Sequence, residues 1–178
     1  MPFDDVLKTL QGERVIVDVR RDELGGADIR GFVAGVSDDL VLIAVVGDHI
    51  ERDGFTILER SDITFLRWGT GQMKAWERVV KTFDQDELVN LPRDLADWQS
   101  AITLLKSAGP VSFYRERVDK GTTYIARDFA LKGDLIVGTQ VTTEGEEDGV
   151  FAFKLNDLTR VEFGGSYERG LGRNLGLE

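Results

Sequence analysis

The sequence predicts a mainly β protein built as two similar small domains, each a short helix followed by five short strands. Three observations predict it. The 178-residue chain matches itself without gaps at an offset of 95 residues, with nine identities in the 31 positions that pair 39–69 with 134–164. Typical residue usage gives roughly two by chance. Phe3, Val6, Leu7 and Leu10 pair with Trp98, Ala101, Ile102 and Leu105, an i, i+3, i+4, i+7 stripe that marks one apolar helix face in both copies. Beyond each helix the apolar residues alternate with period two between turn-forming residues, the pattern of short strands.

In the first copy, Val15, Val17 and Val19 alternate with Ile16, Asp18 and Arg20, a half-buried strand. After the turn Leu24-Gly25-Gly26, a second strand covers about 27–36. Ser37-Asp38-Asp39 reverses the chain, because Ser and Asp side chains bond back to nearby backbone. Residues 40–46 form an apolar run that reads as a strand covered on both faces, with Asp38, Asp39 and Asp48 guarding its ends. Asp53-Gly54 opens a fourth strand near 55–59. Arg60-Ser61-Asp62 is a polar turn before a fifth strand at 63–68, whose Leu66 and Trp68 share a face matched by Val161 and Phe163. The Asp62-x-Thr64 and Asp157-x-Thr159 turns are expected to satisfy strand-end amides.

The predicted boundaries are 1–83 for the first domain, ending in a helix or arm with Met73, Trp76 and Val80 at helical spacing, 84–93 for a linker, and 94–178 for the second domain. Asp94 is the expected cap of the second domain's helix, which Gly109-Pro110 stops. Residues 165–178, with four glycines, read as a flexible tail.

Composition removes several classes of function. The absence of cysteine excludes disulfides, thiolate zinc and a Cys nucleophile, and the single histidine, His49, excludes a multi-His metal site. The longest apolar run, 41–46, falls far short of the roughly 20 residues that span a bilayer, and the N-terminus lacks the pattern of a signal peptide. A cytoplasmic location without membrane partners is the expectation. The net charge of −10 divides as −7 over residues 1–90 and −3 over 91–178, so neither half offers a basic block for phosphates.

A helix followed by five bent antiparallel strands is similar to the Sm-like (LSm) fold, a small SH3-like barrel. Gly31, Val33, Val36, Ser37, Leu40 and Val41 occupy the positions of that family's first motif, and Ala126, Asp128, Leu131, Lys132, Leu135 and Ile136 occupy them in the second copy. The chain also resembles bacterial proteins of unassigned function with Sm-like halves. The resemblance implies two tandem five-stranded barrels, each preceded by a short helix. It does not carry the family's RNA pocket. Val41 and Ile136 stand where an Asn would read the base, and the Arg-Gly pair survives only as Arg67-Trp68-Gly69, and as Glu162-Phe163-Gly164 in the second copy. An apolar side chain offers no hydrogen bond to a base edge.

Two clusters are candidate binding sites. Arg67, Trp68 and Gly69 place a guanidinium beside an indole with room for close backbone approach, an arrangement that stacks on a base or holds a carboxylate. The plainer alternative makes Trp68 a core residue equivalent to Phe163. Arg115, Arg117 and Arg127, interleaved with Tyr114 and Tyr124, form a basic-aromatic cluster on expected adjacent strands, diluted by Glu116, Asp119 and Asp128. The acidic run Glu144, Glu146, Glu147 and Asp148 falls opposite 48–53 as a solvated hairpin loop, and His49 lies in the first of these loops. No nucleophile with a base, paired carboxylates or phosphate loop is recognisable. The expectation is therefore a non-catalytic interaction or assembly module, without cofactor or metal, that binds a protein partner or itself. RNA or nucleotide binding through an altered Sm-like surface is the alternative.

Overall fold

The structure, a computed structural model, describes residues 3–80 and 95–177. Its contacts divide the chain into two units, Met1–Asp53 with Ile57–Ala96, and Gly54–Thr56 with Asp97–Glu178. The architecture of the described residues is mixed α/β, 40% strand, with four helices among them, and so carries more helix than the mainly β expectation.

The first copy runs α1 (Phe3–Glu13), β1 (Ile16–Arg20), β2 (Ile29–Val36), β3 (Leu40–Val46), β4 (Arg52–Glu59), a 3-10 turn at Arg60–Asp62, β5 (Phe65–Trp68) and α2 (Gly71–Val80). The second repeats that order as α3 (Trp98–Leu104), β6 (Val111–Tyr114), β7 (Thr123–Lys132), β8 (Leu135–Val141), β9 (Glu147–Lys154), a 3-10 turn at Leu155–Asp157, β10 (Arg160–Phe163) and α4 (Ser166–Asn174). Strand order is β5-β1-β2-β3-β4 in the first copy and β10-β6-β7-β8-β9 in the second, so in each the fifth strand pairs antiparallel with the first. Within each copy the strand order is open. No ladder among the described residues closes either one into the expected barrel.

In the first unit, α1 lays Leu7 and Leu10 against Val17 and Val19 of β1, Val41 and Ile43 of β3, and Leu58 of β4. Each of those two leucines, fully buried, contributes about 1.5–3 kcal/mol. Phe3, at the outer end of the stripe, is instead exposed. The opposite side of β1 is covered too. Met73 and Val80 of α2 pack on Ile16 and Val46, so β1 is buried on both faces rather than half-buried. Gly31 fits where a side chain cannot, since a Cβ there would stand 2.1 Å from the Ala44 carbonyl oxygen. A register shift follows between Val33 and Gly35, and β7 has one two positions earlier in its copy, between Ala126 and Asp128.

In the second unit all four stripe residues of the leading helix are buried. Its cap is Asp97, which accepts from the Ser100 amide at 2.8 Å, and not Asp94, which lies outside the described residues with the expected linker 84–93. Phe113 is the centre of an aromatic core, with Phe129, Phe153 and Phe151 edge-on at 5.0, 6.0 and 6.1 Å between centroids. The expected flexible tail is the helix α4, whose Leu171 packs on Ile125 and Val141. Glycines at 165, 170, 172 and 176 mask its periodicity. It starts 95 positions after α2, the offset at which the sequence matches itself.

One turn arrangement recurs in both copies, at an offset of 94 on the first strand and 95 on the threonine. Thr64 Oγ1 accepts from the Asp22 amide at 2.9 Å and donates to its carboxylate at 2.7 Å. Thr159 Oγ1 accepts from the Glu116 amide at 3.0 Å and donates to its carboxylate at 2.8 Å. Both threonine amides bond back to the first strand, to Arg20 O and Tyr114 O. The Asp-x-Thr turns thus satisfy the amide just beyond that strand, as their sequence suggests.

Candidate interaction surface

Pairing places Asp18 of β1 directly between Arg30 of β2 and Arg67 of β5, because Asp18 is the register partner of both. Arg30 Nε donates to Asp18 Oδ1 at 2.6 Å, while Arg67 donates to Oδ2 from Nε at 3.0 Å and Nη2 at 2.6 Å. Asp18 is fully buried, whereas the Arg30 and Arg67 side chains remain 28% and 49% exposed. A buried carboxylate costs several kcal/mol unless paired and hydrogen-bonded, and here both oxygens are engaged. The Arg30 guanidinium lies 4.6 Å from the Trp76 ring of α2.

The next position along β1 repeats the theme. Arg20 donates to both oxygens of Asp28, at 2.8 and 3.0 Å, and lies 4.8 Å over the Phe65 ring. The Arg20 hydrogen bond, then the charges of Arg20, Arg67 and Arg30, hold the Asp28 carboxyl below its ordinary range. One charged face therefore spans β5, β1 and β2. Beyond it, α2 fixes the start of β1, where the buried Glu77 carboxylate accepts from the Ile16 amide at 2.9 Å.

Trp68 ends β5, whose single strand neighbour among the described residues is β1. It is 44% exposed where its counterpart Phe163 is 8% exposed, so it is not the buried core residue that the plainer alternative expects. Phe65, on the same strand, is 37% exposed. Gly69 adopts φ +73° with open space around it. Arg67, Trp68 and Gly69 thus follow one another along an edge strand, but Arg67 lies across from Asp18 and Trp68 across from Val17, on opposite faces, so the guanidinium is engaged by Asp18 and does not stand beside the indole as expected.

The second cluster is less of a surface. Arg115 and Arg117 lie in the turn after β6 rather than on a strand. The Arg115 guanidinium sits 5.2 Å from the Phe153 ring and 5.8 Å from Tyr124, with Asp157 at 3.4 Å. Tyr124 donates to Asp119 at 2.8 Å, a bond that raises the phenol's pKa and lowers the carboxyl's. Tyr114 donates to Glu162 at 2.6 Å, with the Arg160 guanidinium 3.7 Å from its ring. Burial, then the Glu162 charge, push that phenol well above its ordinary value. Arg127 pairs separately with Asp128 and Glu147, at 2.9 and 3.3 Å. These residues are internal struts and exposed ion pairs, not one basic-aromatic platform.

Val41 and Ile136, the positions of the family's base-reading Asn, are both fully buried. His49 is exposed in the β3–β4 loop, and Glu144 and Glu146 lie in the β8–β9 hairpin as expected. No group of three or more metal-ligating side chains occurs among the described residues, and no helix among them is long and apolar enough to cross a membrane.

The sequence reading missed Asp18, Arg20, Asp28 and Arg30. A signal existed, since Asp18 and Arg20 share one parity of β1 and so must share a face. What was lacking was the register that brings Arg30 and Arg67 beside them. A scan against family models and searches of curated proteins and of solved structures return no match to this chain.

Proposed function

We propose that the chain is a non-catalytic interaction or assembly module built from two Sm-like halves, and that it binds a protein partner at the open edge formed by β5. The observation that carries this reading is that β5, whose single strand neighbour among the described residues is β1, leaves Phe65 exposed on one face and Trp68 on the other. Exposed edges invite another strand, and aromatic residues with a neighbouring Arg are the side chains most often found at interface anchors. The strand order, with the fifth strand beside the first and a helix in front, supports the Sm-like reading of each half.

RNA or nucleotide binding has weaker support. Arg67, Arg115 and Arg127 are each paired with carboxylates of the chain itself, and the base-reading positions are apolar and buried. The net charge of −10 opposes a polyanion.

Tagged wild-type protein and a Phe65→Lys/Trp68→Lys double variant, captured from native lysate and sized by light scattering, test the proposal. The expected result is a discrete protein complex with the wild type that the double variant loses while its own fold, followed by circular dichroism, persists. Co-purification of nucleic acid in place of protein supports the alternative. Equal capture by both proteins overturns the β5 assignment.

A further inference from the structure

We infer that the Arg30–Asp18–Arg67 row is a carboxylate-binding site, occupied by an acidic side chain of the protein partner. This assignment rests on the partner reading above and names the chemistry that the β5 edge recognises.

Charge balance is the first argument. Asp18 supplies one negative charge to two guanidiniums, so the row itself keeps one positive charge, beside a neighbouring group, Arg20 with Asp28 at 2.8 Å and Asp22 at 3.9 Å, that carries one negative charge. The second argument is geometry. Arg30 bonds Asp18 through Nε alone, and Arg67 through Nε and Nη2. Among the described residues, Nη1 of Arg67 and both terminal nitrogens of Arg30 have no hydrogen-bond acceptor. A guanidinium is a planar fork suited to two parallel bonds with a carboxylate. Here Asp18 holds both guanidiniums and the Trp76 ring stacks on that of Arg30, which lowers the ordering cost of binding.

The duplication supplies the third argument, because it separates what the fold needs from what this face adds. At the Arg20–Phe65 position the second copy keeps the same contact with its partners exchanged, Tyr114 under Arg160. At the Asp18 position it does not. Ser112 takes the place of Asp18, Glu162 that of Arg67 and Ile125 that of Arg30, and Ser112 donates to Glu168 at 2.8 Å. The same architecture is built without a buried Asp between two arginines, so the row is an addition to the first copy.

A carboxylate is preferred to a phosphate because one negative charge suffices. The −10 of the chain penalises each further charge on a ligand, while at physiological salt a Debye length of about 8 Å leaves short contacts little weakened.

Trp76, stacked on Arg30, makes intrinsic fluorescence the readout. Wild-type protein is titrated at fixed ionic strength with the blocked peptide acetyl-Val-Thr-Val-Glu-Val-amide, with sodium acetate, with inorganic phosphate and with oligouridylate. The expected result is saturable quenching by the peptide, weaker quenching by acetate at the same site, and at least a tenfold loss of peptide affinity in Arg67→Gln. Arg67→Lys, which keeps the charge on Asp18 but not the fork, loses about fivefold, and Lys132→Gln in the second unit changes nothing. Equal peptide binding by Arg67→Gln, absence of peptide binding, or tighter binding of phosphate or oligouridylate overturns the inference. The two failures are distinguishable. If only the carboxylate assignment is wrong, Phe65→Lys/Trp68→Lys still loses the captured partner while Arg67→Gln keeps it. If the β5 reading is wrong, neither variant affects capture.

Discussion

Glu77 shows how one side chain ties a helix to a sheet. Its carboxylate, on the buried side of α2, accepts the first amide of β1, a donor that the ladders leave over. Glu77→Ala strands that amide in an apolar setting, and the expected loss is about 1–3 kcal/mol in a denaturant titration. The β8–β9 loop offers a second residue-scale test. Gly145 sits at φ +82° where the first copy holds Ile50 at φ +61°, so the hairpin demands the left-handed region in both. Gly145→Ala should lower stability by about 1 kcal/mol, because a Cβ is disfavoured at that φ even though it would meet Asn174 and Leu175 only at ordinary contact distances, 3.4 Å and beyond. Ile50 endures the same conformation while packing on the cluster of Met73 and Val80.

At the scale of elements, the leading helices and the β3 run were the most legible parts of the sequence. Their apolar periodicity is unbroken, and residues 40–46 form the strand whose bounds the composition predicts. The trailing helix was illegible in the second copy, since Leu171 is its lone fully buried apolar anchor and Gly170 and Gly172 flank it. Leu171→Ala removes that anchor from Ile125 and Val141, and a loss of about 2–5 kcal/mol is expected in thermal or chemical unfolding. The candidate site was half legible. Arg67 and Trp68 stood out by type, but Asp18 and Arg30 became part of the site only through strand register, which a hydrophobic pattern does not fix for polar residues.

At the scale of the whole molecule, acidity shapes the response to pH. Hydrogen bonds from Arg20 to Asp28, from Ser100 to Asp97, from Tyr124 to Asp119 and from Thr139 to Asp128 hold these four carboxyls below their ordinary value of 3.8. The stability they contribute is present above that value and disappears as pH falls through their lowered folded values. Glu168 runs the other way. Burial raises its carboxyl above the ordinary 4.5 despite bonds from Ser112 and the Gly165 amide, so its ionised form costs the folded state stability as pH rises past 4.5. Unfolding midpoints should therefore drop steeply below about pH 4. Relative to Glu168→Gln, the wild type should lose ground between pH 4.5 and neutrality, an order that a series of denaturant titrations checks.

Two renderings of one helix–sheet–helix plan underlie every part of this account, including the face where Asp18 departs from Ser112. Residue-resolved amide hydrogen exchange by NMR tests that plan most directly. Slow exchange is predicted at the amides of Asp22 and Glu116, each held by its threonine, and through the last turns of both α2 and α4. Exchange at random-coil rates across 166–174, or protection of Asp22 without Glu116, would contradict the duplication.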